Sequence, residues 1–366
     1  MPWVNTNPNK ITRSETRPLS LEHEIWELIE KDGEKATVTT INRSSKNVTI
    51  AWVINKDFTL ADVIDSIKTG VKPIKLERLP VKEPIQVPTQ KTKKVSCISN
   101  AMAVVNIADF HLNRYIQGEE TYGQDYNIQI ATEVFHRIID QAKMRIRCSP
   151  YHIDKIIINT AGDFINSEAN GLTTHGTPQT NDVSWRKCFH TAYGLLEYAI
   201  RELSQLAPVE YHYVAGNHDE QIGYMITTWL QGRFIGVDNV TINDAPTIRK
   251  IVEYGSNLII FTHGSEEGNR VMDIPFVEPK AVSKISQSTN IEIISGHLHK
   301  NLVSSERGVR LEVLKSACPA QDNWTYQKAY DGSHTEATII FYDDYGRVQQ
   351  DTINTNRILQ NILETM

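Results

Sequence analysis

Five times along this chain an apolar run ends on aspartate, asparagine or histidine: AVVNIADFH (103–111), KIIINTAGDFIN (155–166), VEYHYVAGNHDE (209–220), NLIIFTHG (257–264) and IEIISGHLHK (291–300). Short apolar runs bounded by glycine and polar turn residues predict buried strands, each opening into a loop that carries the charged or polar side chain. Between the first two runs, residues 127–146 place Ile130, Val134, Ile138 and Ala142 on one helical face, with Ala131, Phe135 and Ile139 beside it. A second helix is predicted over 186–206. Strand, long helix, strand is the alternation of an α/β sheet with charged residues at its edge. The stretch TEATIIFYDDYGRVQQDTI (335–353) predicts an antiparallel pair turning at Gly346.

A chain of 366 residues accommodates one large α/β core and a smaller accessory domain. Residues 1–70 are expected to form that small N-terminal domain. In it SLEHEIWELIEKDG (20–33) predicts a helix, with Ser20 as N-cap and Gly33 as stop. The following ATVTTINRSSKNVTIAWVINKDF supports two readings: a helix-turn-helix around Ser44–Asn47, or a β-hairpin favoured by its β-branched residues. Residues 71–94 hold four prolines and no glycine, which predicts a stiff linker. The catalytic domain is expected at 95–353 and a C-terminal tail at 354–366.

The net charge of -6 is uneven: residues 1–94 carry 16 Lys/Arg against 12 Asp/Glu, the remainder 22 against 32. Polyanion attraction is therefore expected to begin in the N-terminal part. Cys97, Cys148, Cys188 and Cys318 form no CxxC pair, which excludes a zinc knuckle or a disulfide framework and suits a reducing interior. There is no 18-residue apolar run and no signal-like N-terminus, so cytoplasmic residence without a membrane span is expected. A Walker A segment is also absent, which excludes an intrinsic ATP motor of that type.

Taken alone, Asp109 and His111 read equally as a cap and a loop histidine. The set changes that reading, because five of the twelve histidines, His111, His218, His263, His297 and His299, follow predicted strands together with Asp109, Asp163 and Asn217. One metal centre explains them better than five separate structural roles. Imidazole mixed with carboxylate suits Mn²⁺, Fe or Zn²⁺ better than an all-oxygen Mg²⁺ site. Around this centre, Arg114 is expected to contact phosphate or to form a solvent-facing ion pair. His175, in the polar loop TTHGTPQTND, is expected in a substrate loop or on the surface. Asp219 is expected to orient a histidine or to act as a helix N-terminal acid, Asn166 to support the site, and His190 and His212 to serve in packing.

In order, ADFH, GDFIN, GNHDE, THG and GHLH resemble the five motifs of the calcineurin-like metallophosphoesterase superfamily, over about residues 95–350. The resemblance implies a layered sheet/helix catalytic domain holding two divalent metals, Mn²⁺ first, with Fe, Zn²⁺ or mixed occupancy as alternatives. It implies that Asp109, His111, Asp163 and His299 hold one metal and that Asp163, Asn217, His263 and His297 hold the other, with Asp163 bridging. It also implies that His218 protonates or stabilises the leaving group. ADFHLNR, GDFIN and GHLH are similar in style to the SbcD-type nuclease branch, although Asn113 stands where that branch carries glycine and its C-terminal cap is not recognisable. The expected activity is accordingly hydrolysis of DNA phosphodiesters, by an exo- or endonuclease. The alternatives are a phosphomonoesterase, protein phosphatase or small-molecule phosphodiesterase, and a nucleic-acid-binding scaffold with a retained metal site. Expected partners are DNA, a protein bound through the N-terminal domain, or a second copy in a homodimer.

Overall fold

The computed structural model describes residues 11–18, 36–43, 47–54, 97–329 and 334–365. The helix expected at 20–33 and the linker at 71–94 lie outside the described residues. The chain divides into two units, Met1–Ile85 and Gln86–Met366.

In the first unit, β1 (Ile11–Pro18), β2 (Ala36–Arg43) and β3 (Asn47–Ile54) form an antiparallel sheet in the order β1-β3-β2. The β2–β3 pair runs in register from Ala36↔Ile54 to Arg43↔Val48, with a bulge between Val38 and Thr40. This corrects the helix-turn-helix reading and leaves the hairpin. Val38, Thr40, Ile41, Val48, Thr49 and Ile50 are β-branched, and such side chains lose more freedom in a helix than on a pleated sheet.

The second unit holds two sheets. The larger runs in the order β14-β13-β4-β5-β6-β7, from β4 (Asn100–Asn106), β5 (His152–Asn159), β6 (Val209–His212), β7 (Val240–Asn243), β13 (Glu336–Asp343) and β14 (Gly346–Asn354). Its β4 to β7 are parallel, and β13 and β14 are antiparallel neighbours turning at Gly346. The smaller runs β11-β12-β10-β9-β8, from β8 (Lys250–Tyr254), β9 (Asn257–Thr262), β10 (Asn290–Ser295), β11 (Leu302–Glu306) and β12 (Val309–Val313).

Period-two alternation decides which layer each side chain enters. Ala103, Val105, Ile156, Ile158, Ile339 and Phe341 face the helices, whereas Met102, Val104, Ile157, Ile340 and Tyr342 face Ile259, Phe261 and Ile294 of the smaller sheet. Leu258, Ile260, Ile293 and Leu311 point the other way, against Ile274 and Ala281 of short helical turns. The result is a layered α/β domain, two packed sheets flanked by helices.

The helical layer on the larger sheet comprises α1 (Ile128–Cys148), α2 (Trp185–Leu203), α3 (Glu220–Arg233) and α4 (Thr355–Leu363). Asn127 caps α1 by accepting the Ile130 N–H at 2.9 Å, and Arg145 and Arg147 sit at its negative end. Helix α4 corrects the expected tail: Asn354 caps it, and Ile358, Leu359 and Ile362 form a stripe buried in the helix-side core.

Where β13 and β14 meet the smaller sheet, buried charges close the sandwich. Arg347 bonds Glu292 at 2.8 Å and also Glu312, Arg310 bonds the same two carboxylates, and Tyr342 donates to Glu292 at 2.7 Å. Burial raises the Glu312 carboxyl, but Arg347 and Arg310 outweigh it and hold it below its ordinary value; burial keeps Glu292 raised. Glu312 therefore contributes stability above its unfolded value and loses that contribution as pH falls. Replacing Arg347→Met leaves the carboxylates with Arg310 as their cationic partner and should cost on the order of 3 kcal/mol or less at neutral pH. Urea unfolding with chelator present, at pH 7 and below pH 5, should show the deficit shrinking in acid as the carboxyls protonate; a pH-independent deficit would mean lost packing only.

Candidate metal centre

All five motif loops open from the carboxyl ends of β4, β5, β6, β9 and β10, so both sheets deliver ligands to one edge of the sandwich. Three groups of side chains bring ligand atoms within 4.8 Å of one another: Asp109, His111 and His299; His111, Asp163 and His218; and Asp163, His263 and His297. Asp163 and His111 belong to two groups each, so the clusters are continuous. Asn217 joins the last through Oδ1, 3.0 Å from His263 Nε2. The structure thus gathers Asp109, His111, Asp163, Asn217, His218, His263, His297 and His299 in one place.

The backbone is bent to achieve this. Asp109, His111, Asp163, His297 and His299 all have φ between 48° and 69°, the left-handed region that costs a non-glycine residue ~1–3 kcal/mol. Such turns aim side chains from a strand end back toward a single point. Glycines allow the loops to touch: a Cβ on Gly216 would lie 2.1 Å from Asp163 Oδ1, and one on Gly162, at φ 82°, 2.5 Å from His263 Nδ1.

Asp163 lies at the centre. Its Oδ1 accepts the His218 N–H at 2.8 Å, and its Oδ2 lies 3.2 Å from His263 Nε2 and 3.8 Å from His218 Nε2. Burial alone would raise the Asp163 carboxyl, but His263 and His218 hold it well below the carboxylate range. Burial likewise pulls His263 down, yet the Asp163 charge and hydrogen bond carry it up to about 10. Burial lowers both His111 and His218 and favours neutral imidazole.

The donor set fits a pair of divalent cations. His263 donates Nδ1–H to the Ala161 carbonyl at 2.8 Å, which aims Nε2 at Asp163 and Asn217, the orientation that ligating histidines adopt. His111 Nε2 and His299 Nε2 face each other at 3.3 Å, and His111 Nδ1 is buried without a partner. Two imidazole nitrogens converging with Asp109 make a site that a cation completes better than a proton does. These Asp/His clusters are of the kind that supports metal-dependent hydrolysis.

The surrounding residues divide differently from expectation. Arg114 is buried, donating to Asn166 Oδ1 at 3.3 Å and lying 3.6 Å from Asp322, so its ion pair is an interior one and not the solvent-facing pair expected. His175 is exposed, 3.8 Å from Glu266, and belongs to none of the ligand groups. Asp219 orients no imidazole: its carboxylate accepts the backbone N–H groups of Asp163, Gly216 and Ile165 at 3.1–3.3 Å. Burial, then the Asp163 charge, push it up to about 7. His212 is buried as expected for packing, but His190 is exposed on α2 and bonds Tyr193, because the face of that helix bearing Cys188, Ala192 and Leu195 is the one turned inward. Sequence reasoning missed Ser316, whose hydroxyl holds the Asp109 carbonyl at 2.8 Å, and the Asn106–Asn159 pair that props Ala161. The Asn residues ending β4 and β5 were the available signal for the latter.

No protein-family model matches this chain, and no curated protein matches it. Among solved structures, an archaeal phosphodiesterase overlaps 69% of this chain and all of its own, at 14% identity and a TM-score of 0.33. A protein of Streptococcus pneumoniae, described as a predicted phosphoesterase, overlaps 70% of this chain and 91% of its own, at 12% identity and 0.31. A hypothetical protein of Pyrococcus horikoshii overlaps 72% and 93%, at 12% identity and 0.34. At such scores the overlaps bear on neither substrate nor mechanism; the layered topology and the ligand clusters carry the fold type.

Gly216→Ala should displace Asp163 and weaken metal binding by roughly 10–100-fold, with secondary structure unchanged. Calorimetric titration with Mn²⁺ and metal analysis after dialysis check this; a variant that binds metal like the parent would show that Asp163 does not depend on the Gly216 contact.

Proposed function

We propose that this chain hydrolyses phosphodiester bonds in DNA with two divalent metals, Mn²⁺ foremost, held by Asp109, His111, Asp163 and His299 on one side and Asp163, Asn217, His263 and His297 on the other. The observation that carries the phosphoesterase reading is the shared buried carboxylate of Asp163 between two Asp/His groups, with His218 beside it. Divalent cations supply Lewis-acid polarisation and a water of lowered pKa in such a site.

The DNA assignment is supported by the SbcD-like style of the motifs and by the Lys/Arg excess of residues 1–94. With β2 and β3 in place of a helix pair, no recognition helix supports it among the described residues. Turnover of linear and circular DNA, RNA, a small diester and a phosphomonoester should be compared in Mn²⁺. DNA should be preferred, and cut circles would identify endonuclease action. Best turnover on the monoester, with DNA untouched, would replace the nuclease reading with a phosphatase. A chain starting near residue 95 should lose activity on DNA and retain it on the small diester; equal loss on both would make the N-terminal unit a structural support.

His218 is assigned to the leaving group. Its Nδ1–H donates to the Asn166 carbonyl at 2.7 Å, which fixes the ring and leaves Nε2 on the side of Asp163. A proton given to the departing oxygen as the P–O bond breaks therefore comes from Nε2 of the imidazolium. The ring, held neutral by burial, first forms that cation by taking a proton from water, and donation returns it to its neutral Nδ1–H form. His218→Asn should retain both metals and lower kcat by ~10²–10⁴-fold, with the loss shrinking for a diester whose leaving group is very acidic. Equal impairment across leaving groups, with metals retained, would assign His218 to phosphate positioning instead.

A further inference from the structure

The residues that follow Asp163 line a cavity of about 290 Å³ together with the start of α2 and Ile222 of α3. Its walls include Ile165, Ile222 and the Trp185 indole, which is 36% exposed at the first position of α2 with the Arg186 guanidinium 4.7 Å from the ring centroid. Polar groups come from Glu168, Asn170 and Asn181, and no lysine, arginine or histidine is among the lining residues. We propose that this cavity is a nucleobase subsite, receiving the base next to the scissile phosphate with Trp185 as its stacking platform. This inference rests on the nuclease reading.

The chemistry of the lining selects the ligand class. Glu168 is buried, and its two oxygens accept the Gln221 and Ile222 N–H groups at 2.7 and 3.1 Å. The Glu168 carboxylate within the cavity repels phosphate, and the Arg186 guanidinium that stacks on Trp185 is not among the lining residues, so the anionic backbone is kept to the rim. A partly exposed aromatic ring, on one face of which Arg186 stacks, together with aliphatic walls and amide groups matches a neutral planar ring with a hydrogen-bonding edge. The volume lies near the lower end of the range for small-molecule sites, which suits one base better than a larger ligand.

Connectivity places the cavity beside the reacting phosphate. The Asn166 carbonyl that holds His218 Nδ1–H immediately precedes Ser167 and Glu168 of the wall. The same arm continues through Asn170 and Gly171 to Thr174, whose N–H and hydroxyl donate to the Asn217 carbonyl at 2.8 and 3.0 Å. One segment thus lines the cavity and positions both Asn217 and His218.

The test uses the full chain with two probes. Fluorescence quenching of a 2-aminopurine deoxynucleotide reports stacking without turnover, and kinetics compare single-stranded DNA with methyl p-nitrophenyl phosphate, which carries no base. Trp185→Ala should bind the nucleotide roughly tenfold or more weakly and raise KM for DNA by a similar factor, leaving the small diester unchanged. Trp185→Phe should restore much of the binding. Unaltered quenching in Trp185→Ala, or equal losses on DNA and the small diester, would overturn the subsite while leaving the nuclease reading intact. If the parent chain does not cleave DNA, the nuclease reading fails by itself. The quenching then decides the subsite: Trp185-dependent binding sustains it and absent binding overturns it.

Discussion

The buried carboxylate of Asp163 is the constraint around which the second unit is organised. A charge removed from water costs several kcal/mol unless hydrogen bonds and counter-charges replace its solvation. Here the replacement comes from the His218 N–H and the His263 ring, on two separate loops, while Asp219 fixes the backbone on which Asp163 sits. The arrangement requires β5, β6 and β9 to end at one level and in one order. A shift of either sheet against the other would separate His263 from Asp163 and leave the acid without its partner.

That demand explains how strain and stability are distributed. The left-handed residues Asp109, His111, Asp163, His297 and His299 concentrate unfavourable backbone at the ligand edge, where the geometry has use for it. The compensation lies below, in strands whose alternate residues fill two cores, one against the helices and one between the sheets. The Arg347–Glu292–Glu312 cluster then fixes how the sheets meet away from the ligand edge. Rigid layers beneath and bent loops above let five segments, far apart in sequence, hold ligand atoms within bonding reach.

Most of the catalytic layer was legible in the sequence because hydrophobic alternation and strand-ending ligands are local signals. The runs at 103–111, 155–166, 257–264 and 291–300 carry both at once. The N-terminal segment was ambiguous because β-branched residues in short runs satisfy a helix pair or a hairpin, and only cross-strand pairing from Ala36↔Ile54 to Arg43↔Val48 separates the two. The C-terminal helix was missed because its stripe of Ile358, Leu359 and Ile362 spans little more than one turn. Such a short helix is marginal by itself and owes its stability to the core it covers.

The chain alone determined the α/β character of the second unit, the order of the strands that carry ligands, and the identities of the Asp, Asn and His side chains, since each follows from residue type and spacing. The tertiary structure decided which of these atoms meet. It placed Arg114 against Asp322 instead of leaving it open, and turned Asp219 toward the backbone of Asp163 instead of a histidine. It also folded the 165–181 arm so that one face lines a cavity and Thr174 grips Asn217. These contacts join residues tens to hundreds of positions apart, and their partners are chosen by how the two sheets and the helical layer pack, which no local pattern encodes.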